Sequence, residues 1–215
     1  MTARFSRRAA LALGAAALAS PVLAAAPAIP ALSADDKALV DKAVAYLESL
    51  GSAKGRFAQW DARGRRTDGD LYIKRPGKAR FAYDPPSGML LVSDGGTVNV
   101  WDSKLKTFES YPLGMTPLGL FLAKQIRLDK GVVVTGVKRY ADAFSITARD
   151  RKKETEGEIT LTFDANPVAL REWAVRDAQN QMTRVVITGL APAGDLDPKL
   201  FVLRDPRPGP GTAKH

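Results

Sequence analysis

Two periods divide this chain. Val40, Ala43, Val44, Leu47 and Leu50 recur three and four residues apart, the spacing of one helix face. Ser33 precedes the run as an N-cap with Asp36 three residues on, and Gly51 ends it. The pattern predicts an amphipathic helix over 34–50 that covers one side of a sheet. From Gly55 the period falls to two. Phe57 and Gln59 open a strand, and Arg63 to Arg66 form a loop. Leu71 and Ile73 then alternate with Tyr72 and Lys74, as on a strand with two unlike faces. Pro76-Gly77 turns the chain, and Phe81 and Tyr83 put two aromatics on one face of the next strand. Asp84 to Gly88 connects to a strand from Met89 to Val92, and Asp94-Gly95 signals a hairpin. Val98, Val100 and Trp101 make another strand, and Thr107 to Tyr111 one more. Such short turns make neighbours antiparallel.

A short, very apolar segment, Met115 to Gln125, interrupts this meander. Thr116 can cap it, Pro117 suits the first helical position, and Leu118, Phe121 and Leu122 are spaced as one helix face. A helix this greasy between strands has to bury itself in something. Strands resume at Val132–Val137, Phe144–Ala148 and Ile159–Phe163, where Ile159, Leu161 and Phe163 share one face. Asp164 to Pro167 turns the chain into Ala169–Arg176, which carries Trp173, and Met182–Ile187 follows.

The combination Gly69-Asp70-Leu71-Tyr72-Ile73-Lys74-Arg75-Pro76, then Phe81 and Tyr83, then Leu90-Leu91-Val92-Ser93-Asp94-Gly95 resembles the LolA family, the periplasmic carriers of bacterial lipoproteins. The N-terminal helix, the Thr116-Pro117 helix and the hairpin around Phe163-Asp164-Ala165-Asn166-Pro167 extend the resemblance over about residues 35–205. Asp197 to Val202 resembles the short closing strand of that family. The fold implied is mainly β with short helices: a strongly curved, incomplete antiparallel β-barrel of about eleven strands, closed by helices acting as a lid.

Composition narrows the chemistry. The 215 residues are enough for one domain with a sizeable core. There is no cysteine, which excludes disulfides, zinc–thiolate sites, cysteine nucleophiles and a lipid-modified N-terminal cysteine. The one histidine is His215, so histidine chemistry is not expected. Asp84, Asp94 and Asp102 sit beside glycine, proline or turns and read as turn residues rather than a catalytic pair. No phosphate-binding loop, metal cluster or nucleophile triad stands out, so the expectation is no enzyme, no cofactor and no metal.

Residues 1–24 read as a cleaved signal peptide: Arg4, Arg7 and Arg8, then an apolar run from Ala9, then Val22-Leu23-Ala24 as a small-residue cleavage site. Ser6-Arg7-Arg8 followed by Leu11 resembles a twin-arginine signal, with Ala10 where that signal prefers an aromatic; the general secretory route stays open. Residues 25–33 form a Pro/Ala-rich, disordered lead-in, 34–205 the carrier domain, and 206–215 a flexible tail. Removing three arginines from the 32 basic residues leaves 29 against 23 acidic ones, a net charge of +6. That charge suits anionic membrane surfaces or acidic partners, or simply a solvated basic exterior. The basic residues are scattered among strands without a nucleic-acid motif, so no nucleic acid is expected.

A curved sheet with one apolar face under small helices makes an apolar cavity. The candidate lining is Leu71, Ile73, Phe81, Tyr83, Met89, Leu91, Leu118, Phe121, Leu122 and Trp173, which could equally form a plain packed core. The resemblance favours the Phe81/Tyr83 and Met89/Leu91 faces. It also implies that Arg75, beside Pro76, holds carbonyls of the lid and keeps the empty carrier closed. Ala79 departs from the family, which often has a bulky apolar residue there, near its docking surface. The expected partners are acylated lipoproteins, an inner-membrane lipoprotein-releasing ABC transporter and an outer-membrane lipoprotein acceptor. Contacts with the membrane proteins would be transient and the carrier a monomer in the periplasm. Two alternatives share the scaffold: a carrier of another amphiphile, such as a glycolipid or polyketide, and a lipoprotein-sensing regulator, which usually has a second domain.

Overall fold

The computed structural model describes residues 31–126, 132–150, 157–177 and 179–207. The signal peptide, most of the lead-in and all but the first two residues of the tail lie outside them. Ser33 caps the first helix, α1 (Ala34–Ser49): its hydroxyl oxygen accepts the Asp36 amide at 3.1 Å and donates to the Asp36 carboxylate at 2.8 Å. Val40, Ala43 and Leu47 are the buried stripe of α1, and Tyr46 sets its ring edge-on to Phe163 at 6.1 Å.

The strands are β1 (Ser52–Trp60), β2 (Arg66–Lys74), β3 (Lys78–Tyr83), β4 (Met89–Asp94), β5 (Thr97–Asp102), β6 (Thr107–Pro112), β7 (Val132–Arg139), β8 (Ala143–Asp150), β9 (Gly157–Ala165), β10 (Val168–Asp177) and β11 (Met182–Pro192). They build one antiparallel, curved sheet in the order β6-β5-β4-β3-β2-β1-β11-β10-β9-β8-β7. The barrel is incomplete, as expected. The first and last strands pair at its centre, and β6 and β7 are left as its two edges.

Register aligns the apolar residues across strands. Leu71, Phe81, Leu91 and Val100 stand opposite one another in turn along β2 to β5. On the other arm Ile146, Leu161, Trp173 and Val185 do the same along β8 to β11. A bulge between Leu170 and Glu172 keeps both Leu170 and Trp173 on the buried side. The opposite face is charged. Arg56 pairs with Asp70 and Asp84, Arg184 with Glu172 and Arg171 with Asp142 and Asp164. Trp60 lies between the guanidinium groups of Arg66 and Arg184, each 5.4 Å from its ring. Period-two alternation is thus the alternation between an apolar concave side and a convex side of ion pairs.

Two expectations are corrected. Residues 197–202 form no closing strand. Pro198–Phe201 is a 3₁₀ turn, started by the Asp197 carboxylate accepting the Lys199 amide at 2.9 Å. β11 already has a partner on each side, so no edge is open to this segment there. It packs instead on the outside of β3 and β4, where Arg80 donates to the Leu200 carbonyl at 3.1 Å and Phe201 is buried. Ala79, expected near a docking surface, is completely buried on the concave side, opposite Ile73 and Ser93.

Gly69 fits where a side chain cannot. A Cβ there would stand 2.7 Å from Cε1 of Phe57 and closer still to the Ala82 carbonyl oxygen. Gly69→Ala should therefore cost about 1–3 kcal/mol through overpacking, read as a lower urea midpoint at unchanged slope. A midpoint equal to wild type would mean that the aromatic floor yields freely.

Candidate functional site

The strand order sets a problem for the chain between β6 and β7. It leaves one edge of the sheet and must reach the other. Its described part contains a 3₁₀ turn, Leu113–Met115, and the second helix, α2 (Pro117–Leu122). The helix is shorter than the apolar run that predicted it. Pro117 takes the first helical position, but the Thr116 hydroxyl donates back to the Leu113 carbonyl at 2.8 Å instead of capping α2.

Among the described residues, four hydrogen bonds tie this segment to its surroundings. The Leu113 amide donates to the Gly96 carbonyl, 2.9 Å, in the β4–β5 turn. At the far end the Gly77 amide donates to the Leu122 carbonyl, 2.8 Å, from the β2–β3 turn. The Arg75 Nη2 donates to the Ala123 carbonyl, and the Ile126 amide to a Glu48 carboxylate oxygen, 3.0 Å. The Leu122 and Ala123 carbonyls are groups that a helix end leaves without a partner of its own. Gly77 has φ 79°, and a Cβ on it would meet Gly95 Cα at 2.7 Å, so the two turns share a rim that only glycine permits.

Under this segment lies the apolar cluster. Leu71, Ile73, Phe81, Tyr83, Phe121, Leu122 and Trp173 are buried members of it, and Met89, Leu91 and Leu118 pack against it partly buried. All ten candidate lining residues therefore come together, from both arms and from α2. The Phe81/Tyr83 and Met89/Leu91 faces, which the resemblance favours, lie on the same side as Leu71 and Ile73. Rings run from floor to lid: Phe57 meets Tyr83 at 4.9 Å and Phe81 at 5.4 Å, Phe81 meets Trp173 at 5.9 Å, and Trp173 meets Phe121 of α2 at 5.4 Å. The Tyr83 hydroxyl donates to Gln59 Oε1 at 2.8 Å, and burial pushes its pKa up to about 12.

Arg75 stands at the seam of three elements. Its own amide donates to the Gly51 carbonyl, 2.8 Å, just past the end of α1. Its Nε and Nη1 are buried and have no hydrogen-bond partner among the described residues. Burial lowers its pKa from the ordinary arginine value, and the negative charge of Glu48 opposes that shift. A half-buried guanidinium with two buried nitrogens left unpaired is costly to maintain. Pro76 beside it is exposed, and its ring shapes the turn.

Glu48 and Phe57 were not candidates from the sequence. Phe57 was legible only as a strand residue. Glu48 gave no signal: it stays exposed on α1, and only its bond to the Ile126 amide marks it.

The family model described as outer membrane lipoprotein carrier protein LolA matches residues 48–204. An outer-membrane lipoprotein carrier protein of Chromobacterium violaceum is 28% identical over 199 residues, 87% of this chain and 94% of the relative. One from Nitrosomonas europaea is 27% identical over 146 residues, 66% of this chain and 70% of the relative. Among solved structures, a LolA superfamily protein from Nitrosomonas europaea aligns at 10% identity and TM-score 0.46, covering 78% of this chain and 97% of the other. With the family match spanning most of its length, this chain belongs to the LolA family of lipoprotein carriers.

Proposed function

We propose that the structure corresponds to the closed, cargo-free state of a periplasmic carrier. It would take the acyl chains of lipoproteins released from the inner membrane and hand them to an acceptor at the outer membrane. The observation that carries this reading is Phe121 of α2 lying on Trp173, over the apolar concave face of the sheet. Swinging α2 away would open the face to an acyl chain. Each buried methylene contributes on the order of 0.8 kcal/mol, enough to keep a diacylated protein from aggregating in water. The inner-membrane releasing transporter and the outer-membrane acceptor are partners that the family resemblance supplies. Export rests on the basic-apolar-small order of residues 1–24.

Uptake and release are opposite demands. A stable closed state lets the lid compete with cargo, and apparent affinity falls with the fraction of time the carrier is open. Arg75 supplies that competition through the Ala123 carbonyl. The guanidinium has its donors in a fixed fork, so it can hold a carbonyl without help from a second carboxylate.

Three measurements test this reading. Arg75→Leu should fold and load purified lipoprotein, but transfer it to the acceptor about tenfold more slowly or worse, because a bond from a charged donor to the lid is lost. Normal transfer would place the latch elsewhere, and lost loading would mean that Arg75 contacts cargo. For the cavity, a dye that fluoresces in apolar surroundings should bind and be displaced by an acylated peptide. Leu91→Glu should weaken dye binding, since an unpaired carboxylate is costly on that face; a variant that merely unfolds would assign Leu91 to a closed core. For export, N-terminal sequencing of the mature protein should begin near Ala25. A membrane-bound form keeping Arg7 and Arg8 would overturn it.

A further inference from the structure

We infer that Glu48 is a second latch residue, a positioning group that clasps the lid from α1 while Arg75 clasps it from the β2–β3 turn. The inference rests on the reading of α2 as a lid. Its evidence is in the backbone polarity of the segment that leaves α2. Residues 123–126 present a carbonyl first and an amide last. A cation can hold only the first and an anion only the second. Arg75 donates to the Ala123 carbonyl, and Glu48 accepts the Ile126 amide at 3.0 Å. The two side chains thus grip both ends of one four-residue piece with matching chemistry.

They are also neighbours by construction. The Arg75 amide is bonded to Gly51, three residues past Glu48, so the end of α1 and the end of β2 are tied together. Their opposite charges favour each other across that tie, as the effect of Glu48 on Arg75 records. Ile126 is itself buried in the apolar cluster. Releasing Glu48 therefore frees the amide of a core residue, and Arg75 at Ala123 is then the one charged grip left among the described residues, beside the two backbone bonds at Leu113 and Leu122. Leu47, next to Glu48, is 2% exposed, so the backbone that carries the carboxylate is fixed by the core. The helix does two jobs with adjacent residues: Leu47 packs on the sheet and Glu48 reaches the lid.

Asp36, another charged residue of α1, does not share this role. It pairs with Arg139 at 2.7 Å and serves the N-cap, at the end of α1 far from the lid bond. Replacing Glu48 should consequently loosen the lid without loosening the helix start.

Hydrogen exchange of the cargo-free full chain, read by mass spectrometry, tests the clasp without any lipoprotein. Glu48→Ala should speed exchange across residues 118–126 and at Gly77, whose amide is bonded to Leu122, by about tenfold. Exchange in β9 and β10 should stay as in wild type. Glu48→Gln keeps an oxygen for the Ile126 amide and loses only the charge, so it should fall between wild type and Glu48→Ala. Combining Glu48→Ala with Arg75→Leu should accelerate lid exchange by less than the product of the single effects, because both grips act on one segment. Unchanged lid exchange in Glu48→Ala would overturn the inference. So would faster exchange spread evenly over the sheet, which would make Glu48 a general support of α1. If the lid exchanges as expected while wild-type protein loads no lipoprotein, the carrier reading fails and the clasp stands.

Discussion

An open sheet with one apolar face cannot be left as it is. Closure would bury that face against itself, but the two edges, β6 and β7, do not meet. The apolar rows on both arms then need cover from elsewhere in the chain. The strand order also decides where the cover comes from. Because the first six strands run outward from β1 and the last five run back to it, the connection between β6 and β7 must travel from one edge to the other. α2 lies on that path, and its leucines and Phe121 complete the core that the sheet leaves unfinished. α1 covers the far arm, with Tyr46 against Phe163. The cover that α2 provides is a consequence of topology.

What holds the lid differs in kind from what holds the sheet. The strands are joined by continuous ladders from β6 through to β7 and braced outside by cross-strand ion pairs such as Arg184–Glu172. The lid has two backbone bonds at its ends, two charged side chains and one ring contact across to Trp173. Exposed ion pairs contribute little each, so the frame rests mainly on its ladders and core. Local opening of the lid breaks a handful of interactions and leaves the ladders whole, which is the free-energy ordering expected of an element that moves. The unused donors of Arg75 add to this contrast. A residue optimised for stability alone would not leave Nε and Nη1 buried without partners.

Much of this was written in the alternation of residues. Leu71 and Ile73 against Tyr72 and Lys74 gave the concave and convex sides of β2 directly, and Ile159, Leu161 and Phe163 did so for β9. Pro117 marked α2 because the missing amide of proline costs nothing at the first helical position. What pattern does not carry is which strand lies beside which. That β1 pairs with β11, and that Leu71 and Phe81 share a face with Trp173, are facts of long-range pairing. Only the family resemblance anticipated the fold that contains them. For residues 197–202 the resemblance implied a closing strand; the absence of an open edge beside β11 is a property of the whole sheet that the local sequence does not carry. Glu48 was invisible for a different reason. Its partner is a main-chain amide 78 residues away, and no side-chain type marks that position in advance.

The rim shows how these limits meet in one place. A side chain on Gly77 would run into Gly95, and each of the two glycines lies in a turn beside a lid bond. The turn sequences Pro76-Gly77 and Asp94-Gly95 are local signals, explained by φ and by the Asp94 carboxylate accepting the Gly96 and Thr97 amides at 2.8 Å. Their second use is not local. Packing the two turns together brings the Gly96 carbonyl and the Gly77 amide to the two ends of one short helical segment. A fixed distance between an acceptor and a donor on a rigid rim then sets the length of lid that can close over it. Leu113 to Leu122 spans that distance, and the charged grips begin one residue beyond, at Ala123. The backbone bonds thereby bracket the segment from Leu113 to Leu122, and the bonds from Arg75 and Glu48 fall just beyond it, at Ala123 and Ile126.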